Sequence, residues 1–287
     1  MLVLPARAKL NLSLEVVGRR PDGFHDLRSV VVSLDWHDLV GVTVRPAAGP
    51  STALSVTGTA ATFEVPPGSE NLAHAAAKAL AALIPPPCGI DVWLDKRLPV
   101  GAGLGGGSSD AAAVLRAGSM LFDIDANALR DAAESLGSDV PATLAGGRLL
   151  VSGRGEQLTP IGPDPQLHVA VAVVGHSSTS ATFAALTDDE RHPNGRMDRV
   201  AQALNSGRSP DVSDLGSSLE PAAVRANPPL GLGLERLRTR VPEGRWVLTG
   251  SGGAAFALVS TAPEAAAVAR RVRDELGLTA RACQTVE

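Results

Sequence analysis

The chain has 287 residues, 44% of them hydrophobic and 20% charged. That is enough apolar material for one large or two ordinary domains, and too much for wholesale disorder. With 26 basic and 30 acidic residues the net charge is −4, which argues against a general nucleic-acid binder, whose affinity rests on neutralising phosphates. A small anion held by local backbone dipoles stays open.

Aromatics make up 3%, with three Trp, five Phe and no Tyr, too few for a base-stacking platform on single strands. Cys88 and Cys283 stand far apart, outside any CxxC or Cys/His cluster, and read as reduced core thiols. No segment approaches the roughly 18 to 20 apolar residues that span a bilayer, and the N-terminus lacks the pattern of a secretory signal. The expectation is a soluble cytoplasmic protein without a nucleic-acid or membrane partner.

In chain order, residues 8–17 alternate, with Leu10, Leu12, Leu14 and Val16 on one side and Asn11, Ser13 and Glu15 on the other. This predicts a half-buried strand. Pro21-Asp22-Gly23 marks a turn, and 27–34 and 39–44 read as two further strands. Residues 46–68, rich in Pro, Thr, Ala and Gly, suggest short antiparallel strands and loops. A helix is expected from Ser69, stopped by Pro85, Pro86 and Pro87. Ile90, Val92 and Leu94 alternate as a strand, followed by a glycine-rich loop and an amphipathic helix. Beyond them the pattern predicts a helix over 126–135 and a strand from Leu149. The Gly/Pro run at 160–165 is the candidate boundary between domains 1–160 and 161–287. The second half reads as a strand (167–174), helices across 180–240, a strand (246–248), the loop TGSGGAA, a strand (256–260), a helix (263–276) and a last strand (279–286). Residues 188–196, polar and turn-rich, read as a mobile surface loop. The fold class is α+β.

Five glycines fall within Gly101–Gly107, and Ser108, Ser109 and Asp110 lead into a helix. Glycine lets backbone N–H groups approach a ligand closely, and Ser and Asp are expected to cap the helix start. The helix N-terminus then offers an anion site, with phosphate the obvious guest. A Walker A loop fails because no Lys follows Gly106. Gly101, Gly103 and Gly106 formally satisfy a dinucleotide fingerprint, but no βαβ unit surrounds them. A plain flexible loop is the bland alternative, at considerable cost in folding entropy.

PVGAGLGGGSSDAA resembles the phosphate-binding signature of the GHMP kinases. ARAKLNLSL with GRRPDGFH (6–14 and 18–25) resembles a first motif of that family, and LTGSGGAAF (248–256) its third. The match is strongest to the member whose acceptor alcohol carries a cytidine diphosphate. The resemblance implies a two-domain α+β fold, with an N-terminal ATP-binding domain and a ferredoxin-like C-terminal domain. It implies phosphorylation of that alcohol by ATP, with Mg²⁺ held mainly by phosphate oxygens, in a monomer or weak homodimer. Asp139, in GSDVP, matches the catalytic base and Lys9, in AKLNL, its electrostatic partner. By residue chemistry alone they would be a helix cap and a rim lysine. The implied ATP site comprises Pro99, Val100, Gly101, Ala102, Gly103, Leu104, Gly105, Gly106, Gly107, Ser108 and Ser109, with Lys96 and Asn71 near the adenine. Asn11 and Gly252 are implied at the acceptor, and Phe24, His25 and Phe183 around the cytosine, with the two Phe rings opposed. The alternatives are a GHMP kinase for mevalonate, homoserine or a sugar, and an inactive nucleotide-binding regulator.

Overall fold

The computed structural model describes residues 1–60, 65–66, 68–84, 88–162 and 165–287. Pro85, Pro86 and Pro87, expected to stop a helix, lie outside them. So do 163–164 of the candidate boundary and 61–64 and 67 of the Pro- and Gly-rich stretch.

In chain order the elements are β1 (Leu2–Arg19), β2 (His25–Pro46), β3 (Ser51–Thr57), α1 (Leu72–Leu83), β4 (Cys88–Asp95), α2 (Gly106–Leu121), α3 (Ala126–Leu136), α4 (Val140–Ala145), β5 (Arg148–Gly153), β6 (Gln157–Pro160) and β7 (His168–Val173). They continue with α5 (Thr179–Ala184), α6 (Arg196–Asn205), β8 (Gly216–Ser217), α7 (Glu220–Ala226), α8 (Pro228–Arg240), β9 (Val247–Leu248), β10 (Ala254–Val259), α9 (Ala262–Leu276) and β11 (Ala280–Val286). The α+β class holds.

The chain packs as two compact units. One comprises Met1–Ala8, Trp36–Val100 and Gly105–Ala145, the other Lys9–Asp35, Gly101–Leu104 and Gly146–Glu287. Packing therefore does not follow a single cut after residue 160, because β1 and β2 each give residues to both units.

In the first unit β4 pairs antiparallel with the second half of β2, Leu39 to Pro46, and parallel with β3. The parallel pairing corrects the expectation of short antiparallel strands, since local sequence carries no direction. Alanines let α1 and α2 approach closely: Ala73, Ala76, Ala77 and Ala111–Ala113 join Ile90, Val92 and Leu94 in one core. A side-chain carbon at Gly118 of α2 would overlap Leu80 of α1. Helix α1 starts later than read, at Leu72, with Asn71 as its cap.

In the second unit β11, β7, β10 and β9 form an antiparallel array that joins the first half of β2 through β11. The same half of β2 also pairs with β5 over Leu27–Val32. Leu230, Leu234 and Leu237 of α8 and Val268, Ala269 and Val272 of α9 pack on Ala170, Ala172, Ala255 and Ala257 of the array. Trp246 is buried beside them, its indole N–H donating to the Val241 carbonyl at 2.9 Å. Cys88 and Cys283 are buried thiols, and burial pushes Cys283 up to about 12. The 188–196 segment is anchored. Glu190 pairs with Arg225 at 2.5 Å, and the buried Glu15 accepts the Arg196 N–H at 2.9 Å, serving the start of α6 in place of its own side-chain cap.

Candidate active site

The expected site residues fall in both units. In the first, α2 begins without a side-chain cap. Its N-cap is Gly105 at φ 71°, and Gly106 and Gly107 are already helical. This corrects the expected capping by Ser108, Ser109 or Asp110. All three lie inside the helix, Ser108 and Ser109 in its first turn and Asp110 just beyond it, with the Ser109 hydroxyl donating to the Arg7 carbonyl. A side-chain cap would set an oxygen against the N–H groups an anion needs. Without one, the first-turn donors and the positive end of the helix dipole face outward, which suits phosphate.

Lys96 follows the end of β4 after Asp95. Its ammonium lies 2.5 Å from Asp38 and 2.6 Å from Asp110, and all three side chains are buried. The second Asp38 oxygen accepts the N–H groups of Arg97 at 2.5 Å and Leu98 at 2.7 Å. Burial pushes the Asp110 carboxyl up to about 7; Lys96 opposes that rise and the like charge of Asp38 adds to it. Burial works against the charge on Lys96 too, but the two carboxylates outweigh it and its pKa is raised. Asn71 caps α1, its Oδ1 accepting the Ala73 N–H at 3.0 Å while its Nδ2 donates to Pro66. Both residues expected at the adenine thus spend their side chains on the scaffold. Pro99 and Val100, half-buried, lead into the loop. Asp139 is exposed, immediately before α4. Its backbone carbonyl, rather than its carboxylate, accepts from the Thr143 N–H and hydroxyl, at 3.1 and 3.0 Å.

In the second unit the polar side of β1 is not solvated. Lys9, Asn11, Ser13 and Glu15 are 7, 5, 1 and 1% exposed, which corrects the half-buried reading. The Lys9 ammonium donates to Asn11 Oδ1 at 2.8 Å, Asn11 Nδ2 to the Ser29 hydroxyl at 2.8 Å, and that hydroxyl to the Ser13 carbonyl at 2.8 Å. Thr249 Oγ1 accepts the Asn11 N–H at 2.9 Å. Lys9 and Asn11 are therefore brought together on a fixed hydrogen-bonded support.

Gly101–Leu104 interlock with two other loops of this unit. A side-chain carbon at Gly101 would fall on the His176 ring, one at Gly103 on the Gly252 carbonyl, and one at Gly253 on the Ala102 backbone. Gly101 and Gly103 also hold φ of 70° and 74°, so glycine is required there twice over. Ala102 and Leu104 are buried, and the Leu104 carbonyl accepts the Lys9 N–H at 2.9 Å.

Among the aromatics, His25 and Phe183 stack with ring centroids 5.1 Å apart. Phe24 is 49% exposed, with the Arg154 guanidinium 3.9 Å above its ring. His25 Nε2 is buried without a hydrogen-bond partner among the described residues. Burial, then the charges of Arg191 and Arg19, lower its pKa and favour the neutral imidazole.

Residues 71–147 match the family described as GHMP kinases N terminal domain. The 4-diphosphocytidyl-2-C-methyl-D-erythritol kinase of Pelotomaculum thermopropionicum is 36% identical over 272 residues, covering 93% of this chain and 92% of its own. The chain belongs to the 4-diphosphocytidyl-2-C-methyl-D-erythritol kinase family. The corresponding Polaromonas sp. kinase is 39% identical over 264 residues, 89% of this chain and 82% of its own. A crystal structure of 4-(cytidine 5'-diphospho)-2C-methyl-D-erythritol kinase superposes with a TM-score of 0.80 at 32% identity over the whole of both chains. The α+β GHMP kinase fold and kinase membership expected from three short motifs are thus established over nearly the full length.

For a kinase of this family, sequence reasoning missed Asp38, Ser29, Thr249 and His176. Thr249 lay inside a recognised motif and could have been found there. Asp38, Ser29 and His176 carry no local signal, because their partners lie 58, 18 and 75 positions away.

Proposed function

We infer that this chain phosphorylates the 2-hydroxyl of 4-diphosphocytidyl-2-C-methyl-D-erythritol with ATP, giving the 2-phosphate and ADP in the non-mevalonate route to isoprenoid precursors. The observation that carries this is the 36% identity over 93% of the chain to a kinase of that name.

In this reading Asp139 takes the proton of the 2-hydroxyl, whose oxygen attacks the γ-phosphorus. The bond from that phosphorus to the β–γ bridging oxygen breaks, and its electron pair leaves with ADP. Lys9, held by Asn11, is the electrostatic partner that favours the developing alkoxide. Pro99–Ser109 line the nucleotide phosphates, with Asn71 and Lys96 as the scaffold on the adenine side. Mg²⁺ would neutralise phosphate charge. It would arrive on the nucleotide and keep phosphate oxygens as its main ligands.

Asn11 and Gly252 serve the acceptor. We place the base on Phe24, hydrogen-bonded to His25. Phe183, expected opposite Phe24, stacks on the imidazole at 5.1 Å, closer than the roughly 7 Å that a base between two rings needs, so its part is to support His25 from behind. A cytoplasmic monomer or weak homodimer completes the reading. Among the described residues no helix is long and apolar enough to cross a membrane.

The test is ADP release from Mg-ATP with the cytidylated methylerythritol, mevalonate or homoserine as acceptor. Turnover with the first alone is expected. Turnover with either of the others in its place would remove the cytosine reading.

A further inference from the structure

The two ends of the glycine-rich loop that belong to the first unit rest on one buried ionic group. On the entry side, Asp38 holds the backbone of Arg97 and Leu98 through one carboxylate oxygen and the Lys96 ammonium through the other. On the exit side, Asp110 reaches the same ammonium from the start of the second turn of α2. Lys96 Nζ lies 3.6 Å from where a side-chain carbon of Gly106 would begin, directly under the helix start. The second oxygen of Asp110 is buried and has no hydrogen-bond partner among the described residues. Two carboxylates thus share one ammonium below the donors offered to phosphate.

The formal charge of this triad is −1 when both carboxyls are ionised and zero when one carries a proton. A buried unit charge within one helical turn of an anion site is weakly screened, so its sign matters to a phosphate guest. With both carboxyls ionised, Lys96 is fully consumed and the surplus charge opposes the nucleotide. Neutralising Asp110 removes the surplus while Lys96 stays paired to Asp38.

We propose that Asp110 is a positioning residue that sets the charge under the nucleotide loop, so that its ionised form weakens ATP binding and its neutral form strengthens it. This rests on the reading that the loop holds ATP. The charged groups that act on Asp110 are Lys96 at the end of β4 and Asp38 on β2, and together with burial they place its titration near pH 7.

The experiment is calorimetric binding of a non-hydrolysable ATP analogue with Mg²⁺ to wild type, Asp110→Asn and Asp38→Asn, at pH 6 and pH 8. Taking the ratio of variant to wild type at each pH cancels the titration of the nucleotide itself. Asp110→Asn is expected to bind about threefold to tenfold more tightly than wild type at pH 8 and equally at pH 6. Asp38→Asn keeps an oxygen for the Arg97 and Leu98 N–H groups and is expected to change in the same direction at pH 8. A merely structural role for Asp110 would weaken binding at both pH values, and that result would overturn the proposal. So would equal affinity of wild type and Asp110→Asn at pH 8. Absence of analogue binding by wild type would instead remove the ATP reading beneath it.

Discussion

The glycine-rich loop is supported in two different ways in the two units. In the first, its support is ionic: Lys96 between Asp38 and Asp110, all buried. In the second, it is steric: Gly101 and Gly103 packed on His176 and Gly252, beside the hydrogen-bonded run from Lys9 through Asn11 to Ser29. An ionic support can be retuned by a proton, but deleting one member leaves a buried charge uncompensated. A steric support fails on the addition of a single carbon. The contrast separates what fixes the loop in space from what sets the charge around it.

The largest effect is expected at the two groups assigned to the chemistry itself. Asp139→Asn and Lys9→Ala should each lower turnover by about a hundredfold to ten-thousandfold, the usual contribution of a general base or a charge partner, with the melting transition retained. Asp139→Asn keeps the backbone carbonyl that accepts from Thr143. Wild-type-like turnover in either purified variant would remove the catalytic assignment.

Breaking the ionic support comes next. Lys96→Met strands two carboxylates and should cost about 3–5 kcal/mol of unfolding free energy. The sign with pH follows from Asp110, whose folded-state pKa already stands above the ordinary carboxyl range and rises further without Lys96. A carboxyl raised in the folded state favours folding at low pH and costs stability as pH climbs through that window. The loss should therefore be larger at pH 8 than at pH 5 in urea titrations. A pH-independent loss would mean that Lys96 acts through packing alone.

Probing the steric support calls for a pair of glycines. Gly103→Ala forces a positive φ on alanine and overlaps the Gly252 carbonyl, a backbone atom that cannot swing aside. It should cost about 2 kcal/mol or more of stability and most of the activity. Gly107→Ala meets only Leu72 at an ordinary 3.7 Å inside a helix, where alanine gains about 1 kcal/mol over glycine. Equal melting temperatures for the two would show that the interlock carries no energy.

How far these features could be read from the chain depends on how local they are. The alternation of Ile90, Val92 and Leu94 gave β4, and the glycine run followed by an alanine-rich stretch gave α2. Their physics is contained within a few residues. Strand β2 was read as two pieces because His37-Asp38 interrupts its apolar run, and the lysine that makes Asp38 a core residue lies 58 positions away. The polar side of β1 was read as half-exposed because alternation reports two faces without saying what covers them. Lys9, Asn11, Phe24 and His25 were legible through motif resemblance. Their supports, Ser29, Thr249 and His176, were not, since a hydroxyl or an imidazole in a loop carries no signal until its partner is in place.

The smallest expected effect tests whether charge also sets the state of the second unit's one candidate base-binding imidazole. His25 is held below its ordinary 6.5 first by burial and then by Arg191 and Arg19, and a neutral ring can hydrogen-bond a cytosine without adding charge. KM for the cytidylated acceptor should stay flat from pH 8 down to the ordinary imidazole range and rise only below it, with KM for ATP free of that inflection. A His whose pKa is lowered by folding also costs stability as pH falls below the unfolded value, so the melting temperature should decline over the same window. Arg191→Leu removes one repelling charge, lets the imidazole take its proton at higher pH, and should move the rise in KM upward, by about twofold at pH 6.5. A shift in the opposite direction, or an inflection shared with ATP, would detach His25 from the acceptor and leave its stacking on Phe183 as packing alone.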